Sequence, residues 1–171
     1  MASGRPVNIW DYYDTGESMR IAVISDTHGI LRPEVMEITE GCESVIHGGD
    51  IGTREILDRL SYGRQIYAVR GNNDGDWAKG IAPLQRFRLA ELEFVVVHDK
   101  KDVPWNLEGV DVVIFGHSHR YSEEIRDGRL WLNPGGCGRR RFSQELTMAV
   151  LTVTDGIWQV ERVDLPLEKK I

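Results

Sequence analysis

Five short apolar runs in this chain each end in a polar cluster built from glycine, acids, amides and imidazoles, and this recurrence restricts the fold more than any other feature. Ile21 to Ile24 leads into Ser25-Asp26-Thr27-His28-Gly29, Val45-Ile46 into His47-Gly48-Gly49-Asp50, and Ile66 to Val69 into Arg70-Gly71-Asn72-Asn73-Asp74. Phe94 to Val97 leads into His98, and Val112 to Phe115 into Gly116-His117-Ser118-His119. Short apolar runs bounded by turn residues read as buried strands. Polar groups at the ends of such strands can converge at one edge of a sheet, where open α/β folds place their sites. All 5 histidines of the chain fall in these segments, which scattered placement would not produce.

The first three runs alternate with helical patterns. Pro33 to Glu40 reads as a short helix with Pro in its first turn. Thr53 to Leu60 begins at a capping-type Thr and sets Ile56, Leu57 and Leu60 on one face, ahead of a strand over Gln65 to Val69. A βαβαβ unit of this kind predicts parallel strands joined by right-handed crossovers. Further on, Phe87 to Val97 reads as two strands around Ala90-Glu91, and Val110 to Phe115 as another short strand. Asp127-Gly128 and Asp155-Gly156 are strong hairpin turns, joining Tyr121–Arg126 to Arg129–Leu132 and Thr147–Thr154 to Ile157–Val163. The C-terminal half is therefore expected to be largely antiparallel. Residues 1–18 show neither period and are expected to form an extension or arm before a single domain over 19–171.

Composition narrows the function classes. With 171 residues the chain is about one domain, able to bury roughly two thirds of its unfolded surface. Its 41% hydrophobic and 28% charged residues, with a mean hydropathy of -0.33, suit a soluble globular protein. No apolar run nears the roughly 20 residues that span a bilayer, and no secretory leader pattern opens the sequence, so the expectation is a cytoplasmic protein without a membrane partner. A net charge of -6 and a pI near 5.4 oppose binding to nucleic acid and favour a small substrate; homo-oligomerisation stays open. Two cysteines, Cys42 and Cys137, are too few to staple the domain.

Neutral imidazole with carboxylate oxygen suits borderline divalent metals such as Mn²⁺, Fe²⁺ and Zn²⁺. Without a Cys pair the set does not read as a closed structural zinc site. Glycines at 29, 48, 49, 71 and 116 permit tight turns and let the backbone approach a metal or phosphate.

Taken in order, Asp26-x-His28, Gly49-Asp50, Gly71-Asn72, His98 and Gly116-His117-Ser118-His119 resemble the successive motifs of the calcineurin-like metallophosphoesterases. The resemblance runs from Met19 to about Gly138, and the short length is similar to the small bacterial and archaeal phosphodiesterase branch. It implies an α/β fold, a four-layer αββα sandwich of two mixed β-sheets flanked by helices. It also implies that Asp26, His28, Asp50 and His119 hold one metal and that Asp50, Asn72, His98 and His117 hold a second, bridged by Asp50. The implied cofactors are two divalent ions, Mn²⁺ first, with iron, zinc, nickel or cobalt as alternatives. A hydroxide shared by two such ions, about 3.5–4 Å apart, would attack phosphorus in line with the leaving oxygen. The implied activity is hydrolysis of a small phosphodiester. The rivals are a phosphomonoesterase, a nuclease and a non-catalytic scaffold of the kind the fold supplies to retromer.

Several positions depart from the family pattern. Many members carry His after the motif Asn, able to protonate the leaving group or bind its phosphate, whereas this chain has Asn73. An amide cannot serve as a general acid, a role worth about 10²–10⁴-fold, so good leaving groups are expected to be preferred. Asn73 and Asp74 are candidates for catalysis or for contact behind the ligands, and Asn73 also for substrate binding. Asp99 replaces a common Gly and reads either as an acceptor for a ligand or as a solvated turn. His47 reads as a hydrogen-bonded structural residue. Asn133-Pro134-Gly135-Gly136 is similar to the turn that closes the site in this branch, and Arg139 in the following Arg139-Arg140-Arg141 is a candidate phosphate grip. Trp77 and Trp105 read as packing residues and stay outside the site.

Overall fold

From Ile21 onward the first strand is completely buried, and a strand apolar on both faces belongs in the interior of a sheet with a layer on each side. In the computed structural model, which describes residues 18–141 and 144–167, β1 (Met19–Ile24) occupies that position. It pairs in parallel with β2 (Ser44–His47), which pairs in parallel with β3 (Gln65–Ala68). The crossovers carry α1 (Pro33–Glu40) and α2 (Arg54–Leu60), as the βαβαβ pattern predicts. On its other side β1 pairs antiparallel with β9 (Thr147–Thr154), which forms a hairpin with β10 (Ile157–Asp164).

The second sheet has the order β4-β5-β6-β8-β7, from β4 (Leu84–Leu89), β5 (Leu92–Val97), β6 (Val112–Ile114), β7 (Tyr121–Arg126) and β8 (Arg129–Pro134). The hairpins β4–β5 and β7–β8 are antiparallel, but β6 runs parallel to both β5 and β8. The C-terminal half is largely antiparallel, as expected, with the two pairings of β6 as the parallel exception. β7 passes to the sheet edge before β8 returns beside β6, and adjacent apolar runs in the sequence do not disclose which strand a returning segment chooses. The hairpin turns Ala90-Glu91, Asp127-Gly128 and Asp155-Gly156 all have positive φ at both central residues, the geometry that matches strand twist.

The two sheets face one another across a core that includes Ile21, Val23, Ile46, Phe94, Ile114 and Leu151. On the outer side of the first sheet, Val35, Ile56 and Leu60 of the helices pack against Ala22, Ile24 and Val45. The sandwich of two mixed sheets agrees with expectation. On the outer side of the second sheet the cover is Val103 and Leu107, from the loop after a 3-10 turn at Lys100–Asp102, packed on Val95, Val113, Phe115 and Trp131. Pro104 and Gly109 within that segment oppose an α-helix, which accounts for a loop where a flanking helix was expected. The expected extension over residues 1–18 lies, apart from Ser18, outside the described residues; the Ser18 hydroxyl is 2.7 Å from that of Thr154.

Candidate metal centre

The ends of β1, β2, β3, β5 and β6 come together at one edge of the sandwich, bound by main-chain hydrogen bonds between their loops. Asp26 N donates to Gly49 O at 3.0 Å, His28 N to Asp50 O at 2.9 Å, and Gly116 N to His98 O at 2.9 Å. Five of the predicted ligands, Asp26, His28, Asp50, His117 and His119, adopt left-handed backbone conformations with φ between 46° and 72°. Outside glycine that region is uncommon and costs about 1–3 kcal/mol per residue, and it persists where the surroundings dictate it, often at functional sites. Two glycines permit the close approach: a Cβ on Gly71 would overlap the Asp50 carboxylate, and one on Gly116 would overlap the Ser25 hydroxyl and crowd Asp26.

The structure gathers five of the seven predicted ligands tightly. Asp26 Oδ1 lies 3.3 Å from His119 Nε2 and 3.6 Å from His28 Nε2. Asp50 Oδ2 lies 3.3 Å from His98 Nε2 and 3.6 Å from His28 Nε2. The Nε2 atoms of His28 and His119 face each other at 3.2 Å, so at most one can carry a proton between them. Two sets offer converging donor atoms, Asp26 with His28 and His119, and Asp26 with Asp50 and His98. Although buried, Asp26 Oδ1 and His98 Nε2 accept or donate no well-directed hydrogen bond. Such orphaned atoms are costly unless a cation completes them, and the donor set fits a divalent metal.

The surrounding groups prepare those atoms. His98 Nδ1 lies 2.8 Å from Gly48 O, which fixes the proton on Nδ1 and leaves the Nε2 lone pair toward the cluster. Burial pushes the Asp26 carboxyl up, but the His119 and His28 imidazoles and the Ser25 hydroxyl, 2.7 Å from Oδ2, outweigh it and hold Asp26 well below the usual carboxylate range. Burial likewise opposes ionisation of Asp50, yet His98 and two hydrogen bonds from Asn73 bring its pKa down to about 2. Burial pushes His98 down, but Asp50 and the Gly48 carbonyl outweigh it and raise its pKa.

Asn73 turns onto the predicted ligand Asp50, donating from Nδ2 to Oδ2 at 2.8 Å and from its backbone N to Oδ1 at 2.9 Å. Asp74 is buried and accepts from the backbone N of Ile51, Gly52 and Gly71, tying the loops after β2 and β3 together. His47, completely buried, accepts from Gly49 N on Nδ1 at 3.0 Å and meets Thr27 Oγ1 on Nε2 at 3.0 Å; burial brings its pKa down to about 4. Its reading as a structural residue agrees with this placement. Asp99 caps the 3-10 turn through Lys101 N at 3.1 Å and lies 3.6 Å from His117 Nε2. Two further residues support the loops: Ser25, to which the sequence reading gives no role, braces Asp26, and Asn133 of the predicted closing turn donates to Gly116 O at 3.0 Å and Ser118 Oγ at 3.1 Å. Their signal was adjacency to a motif Asp and the Asn-Pro-Gly turn.

Asn72 and His117 stand apart from the tight cluster, both exposed, on the lining of an adjoining cleft of about 340 Å³ that His98 also faces. The His117 ring meets that of His98 edge-on, with centroids 5.2 Å apart. Arg139 is exposed, and among the described residues no contact joins it to the seven. Trp77 packs as expected against the helical layer, while Trp105, read as a packing residue, is 95% exposed and joins none of the core clusters among the described residues. Cys137 is buried, and burial lifts its thiol to about 12, leaving it inert near neutral pH.

Residues 19–156 match the family model described as the calcineurin-like phosphoesterase superfamily domain. A probable metallophosphoesterase of Methanocaldococcus jannaschii is 33% identical over 137 residues, which cover 72% of this chain and 71% of that protein. The solved structure of a novel archaeal phosphodiesterase superposes with a TM-score of 0.69 at 27% identity, covering 85% of this chain and 100% of that one. Vps29 of Chaetomium thermophilum superposes with a TM-score of 0.68 at 17% identity, covering 86% and 97%, a likeness of fold alone.

Proposed function

The chain belongs to the calcineurin-like phosphoesterase superfamily, and from that membership we propose that it is a phosphodiesterase acting on small phosphodiesters at a pair of divalent metal ions. The observation that carries this reading is the pair of buried, unpartnered ligand atoms, Asp26 Oδ1 and His98 Nε2, set among imidazole nitrogens. Asp26, His28, Asp50 and His119 would hold one ion and Asp50, Asn72, His98 and His117 the other. The position of Asp50 Oδ2 between His28 and His98 supports its role as the bridge. Mn²⁺ suits this mix of carboxylate, amide and imidazole.

Divalent ions bound there supply Lewis acidity and lower the pKa of water. The chain's own part is orientation. The Gly48 carbonyl sets the tautomer of His98, Ser25 and Asn73 fix the carboxylates of Asp26 and Asp50, and Asn133 anchors the loop that carries His117 and His119. The cleft beside His98 and His117 admits the ester. With Asn73 engaged on Asp50, no imidazole at that position protonates the departing oxygen, which favours aryl and other activated esters over alkyl ones.

A scaffold role would not need an intact ligand set, and here all seven predicted ligand positions carry metal-binding side chains. Among the described residues no helix is long and apolar enough to cross a membrane, and a cytoplasmic setting belongs to this reading. The test is elemental analysis of the purified protein together with turnover of bis(4-nitrophenyl) phosphate and 4-nitrophenyl phosphate, with Mn²⁺ and with chelator. Bound metal and Mn²⁺-dependent turnover favouring the diester are expected. A protein with neither metal nor turnover would be a scaffold, and preference for the monoester would make it a phosphomonoesterase.

A further inference from the structure

A partly buried arginine commonly has an acceptor within the protein. The other partly buried arginines among the described residues have one: Arg32 donates to Gly138 O, Arg64 to Leu60 O, Arg129 to Val110 O and Arg140 to Gln144 O. Arg70 is also partly buried, yet its side chain has no hydrogen bond or ion pair among the described residues. It lines the same 340 Å³ cleft as the ligands Asn72, His98 and His117.

The backbone around it is held in place. Arg70 N donates to Ala82 O at 3.0 Å, and the next residue, Gly71, donates to Asp74. The other cation of the cleft, Lys101, is already matched, its Nζ 3.6 Å from Asp99 Oδ2. Asp102 lines the cleft as well without pairing with Arg70. In a chain with a net charge of -6, the cleft thus keeps one uncommitted fork of donors, shaped for bidentate contact with phosphate.

We propose that Arg70 binds a second phosphate of the substrate, so that the enzyme prefers phosphodiesters that carry a further phosphate group, such as esters of nucleoside bisphosphates. The inference rests on the phosphodiesterase reading: the reacting phosphoryl group would lie at the ligand cluster, leaving Arg70 for another anion farther along the cleft. A volume of about 340 Å³ is at the lower end of small-molecule sites and admits a fragment of nucleoside size.

Two esters with the same leaving group separate the possibilities: thymidine 5′-(4-nitrophenyl phosphate) and the same compound with a 3′-phosphate. The Mn²⁺-loaded wild type should show a kcat/KM at least about 10-fold higher on the phosphorylated ester, because a charge-assisted contact of this kind is worth about 10–100-fold. Arg70→Gln should lose about that factor on the phosphorylated ester and no more than about 3-fold on the other, with Arg70→Lys between. Equal losses on both esters would mean that Arg70 contacts the reacting phosphoryl group, and no preference in the wild type would mean that it contacts neither; each overturns the proposal. Calorimetric binding of thymidine 3′,5′-bisphosphate against thymidine 5′-monophosphate supplies a readout without turnover. Wild type should bind the bisphosphate more tightly, and Arg70→Gln, with unchanged metal content and melting temperature, should bind the two alike. If neither ester turns over, the phosphodiesterase reading fails while this comparison still decides the role of Arg70: equal wild-type affinities overturn it.

Discussion

Asn73 clamps Asp50 through both carboxylate oxygens, its side-chain amide on Oδ2 at 2.8 Å and its backbone N on Oδ1 at 2.9 Å. The side-chain bond falls on the oxygen that faces His28 and His98, so it fixes the direction in which Asp50 presents itself to a metal. Groups that orient a ligand in this way typically account for 10–100-fold in metal affinity. Asn73→Ala removes the side-chain bond and keeps the backbone one. Mn²⁺ titration calorimetry should show affinity about 10–100-fold weaker with an unchanged melting temperature of the metal-free protein. Unchanged affinity would reduce the clamp to an incidental contact.

On the phosphodiesterase reading, the same residue bears on the leaving group. Across a series of phosphodiesters, kcat should fall steeply as the pKa of the departing alcohol rises, since nothing at position 73 donates a proton to it. Asn73→His weakens the hold on Asp50 and lowers absolute rates, yet it should raise the ratio of alkyl to aryl turnover toward the about 10²-fold that a general acid supplies. Parallel slopes for wild type and variant would rule out position 73 as the missing donor.

Much of this site was legible from residue order, because strand ends in a parallel unit deliver whatever follows them to one edge. Asp26, His28, Asp50 and His98 could be found in that way. Their conformations could not: nothing in Asp26-Thr27-His28 announces φ of 56° and 46°, which follow from loops hydrogen-bonded across long sequence separations. The side-chain direction of Asn73 was equally hidden, since its partner lies 23 residues away. In the fold, the parallel pairing of β6 with β8 depended on where β7 went, a choice made by packing between sheets rather than by any local period.

Gly71 and Gly116 bring backbone against the carboxylates of Asp50 and Asp26, so a methyl group at either should be felt first by metal binding at the candidate centre. Gly71→Ala meets the Asp50 carboxylate and backbone N, and Gly116→Ala meets Ser25 and Asp26. Overpacking of this kind costs about 1–3 kcal/mol. Each variant should melt at a lower temperature and retain substoichiometric metal by elemental analysis. Gly80→Ala, where a Cβ meets nothing within 4 Å, should match wild type in both. Full metal content in Gly71→Ala would show that the loop yields without moving Asp50.

His47 makes the fold sensitive to mild acid. Gly49 N donates to its Nδ1, so protonation there breaks the bond that positions the residue before Asp50. Burial lowers its pKa from the ordinary 6.5 to about 4, so between these values the unfolded chain binds more protons than the folded one. Stability from this group is complete above about 6.5 and is lost as the pH falls toward about 4, a change of roughly 3 kcal/mol. His98, with its pKa raised, works in the opposite sense, since its contribution is present at low pH and is lost as the pH rises through its folded value. The net fall is therefore smaller. In chelator, the melting temperature of wild type should drop between pH 7 and pH 5, while His47→Asn should start lower and vary less over the same interval. An equally steep decline in His47→Asn would assign the acid sensitivity to another group.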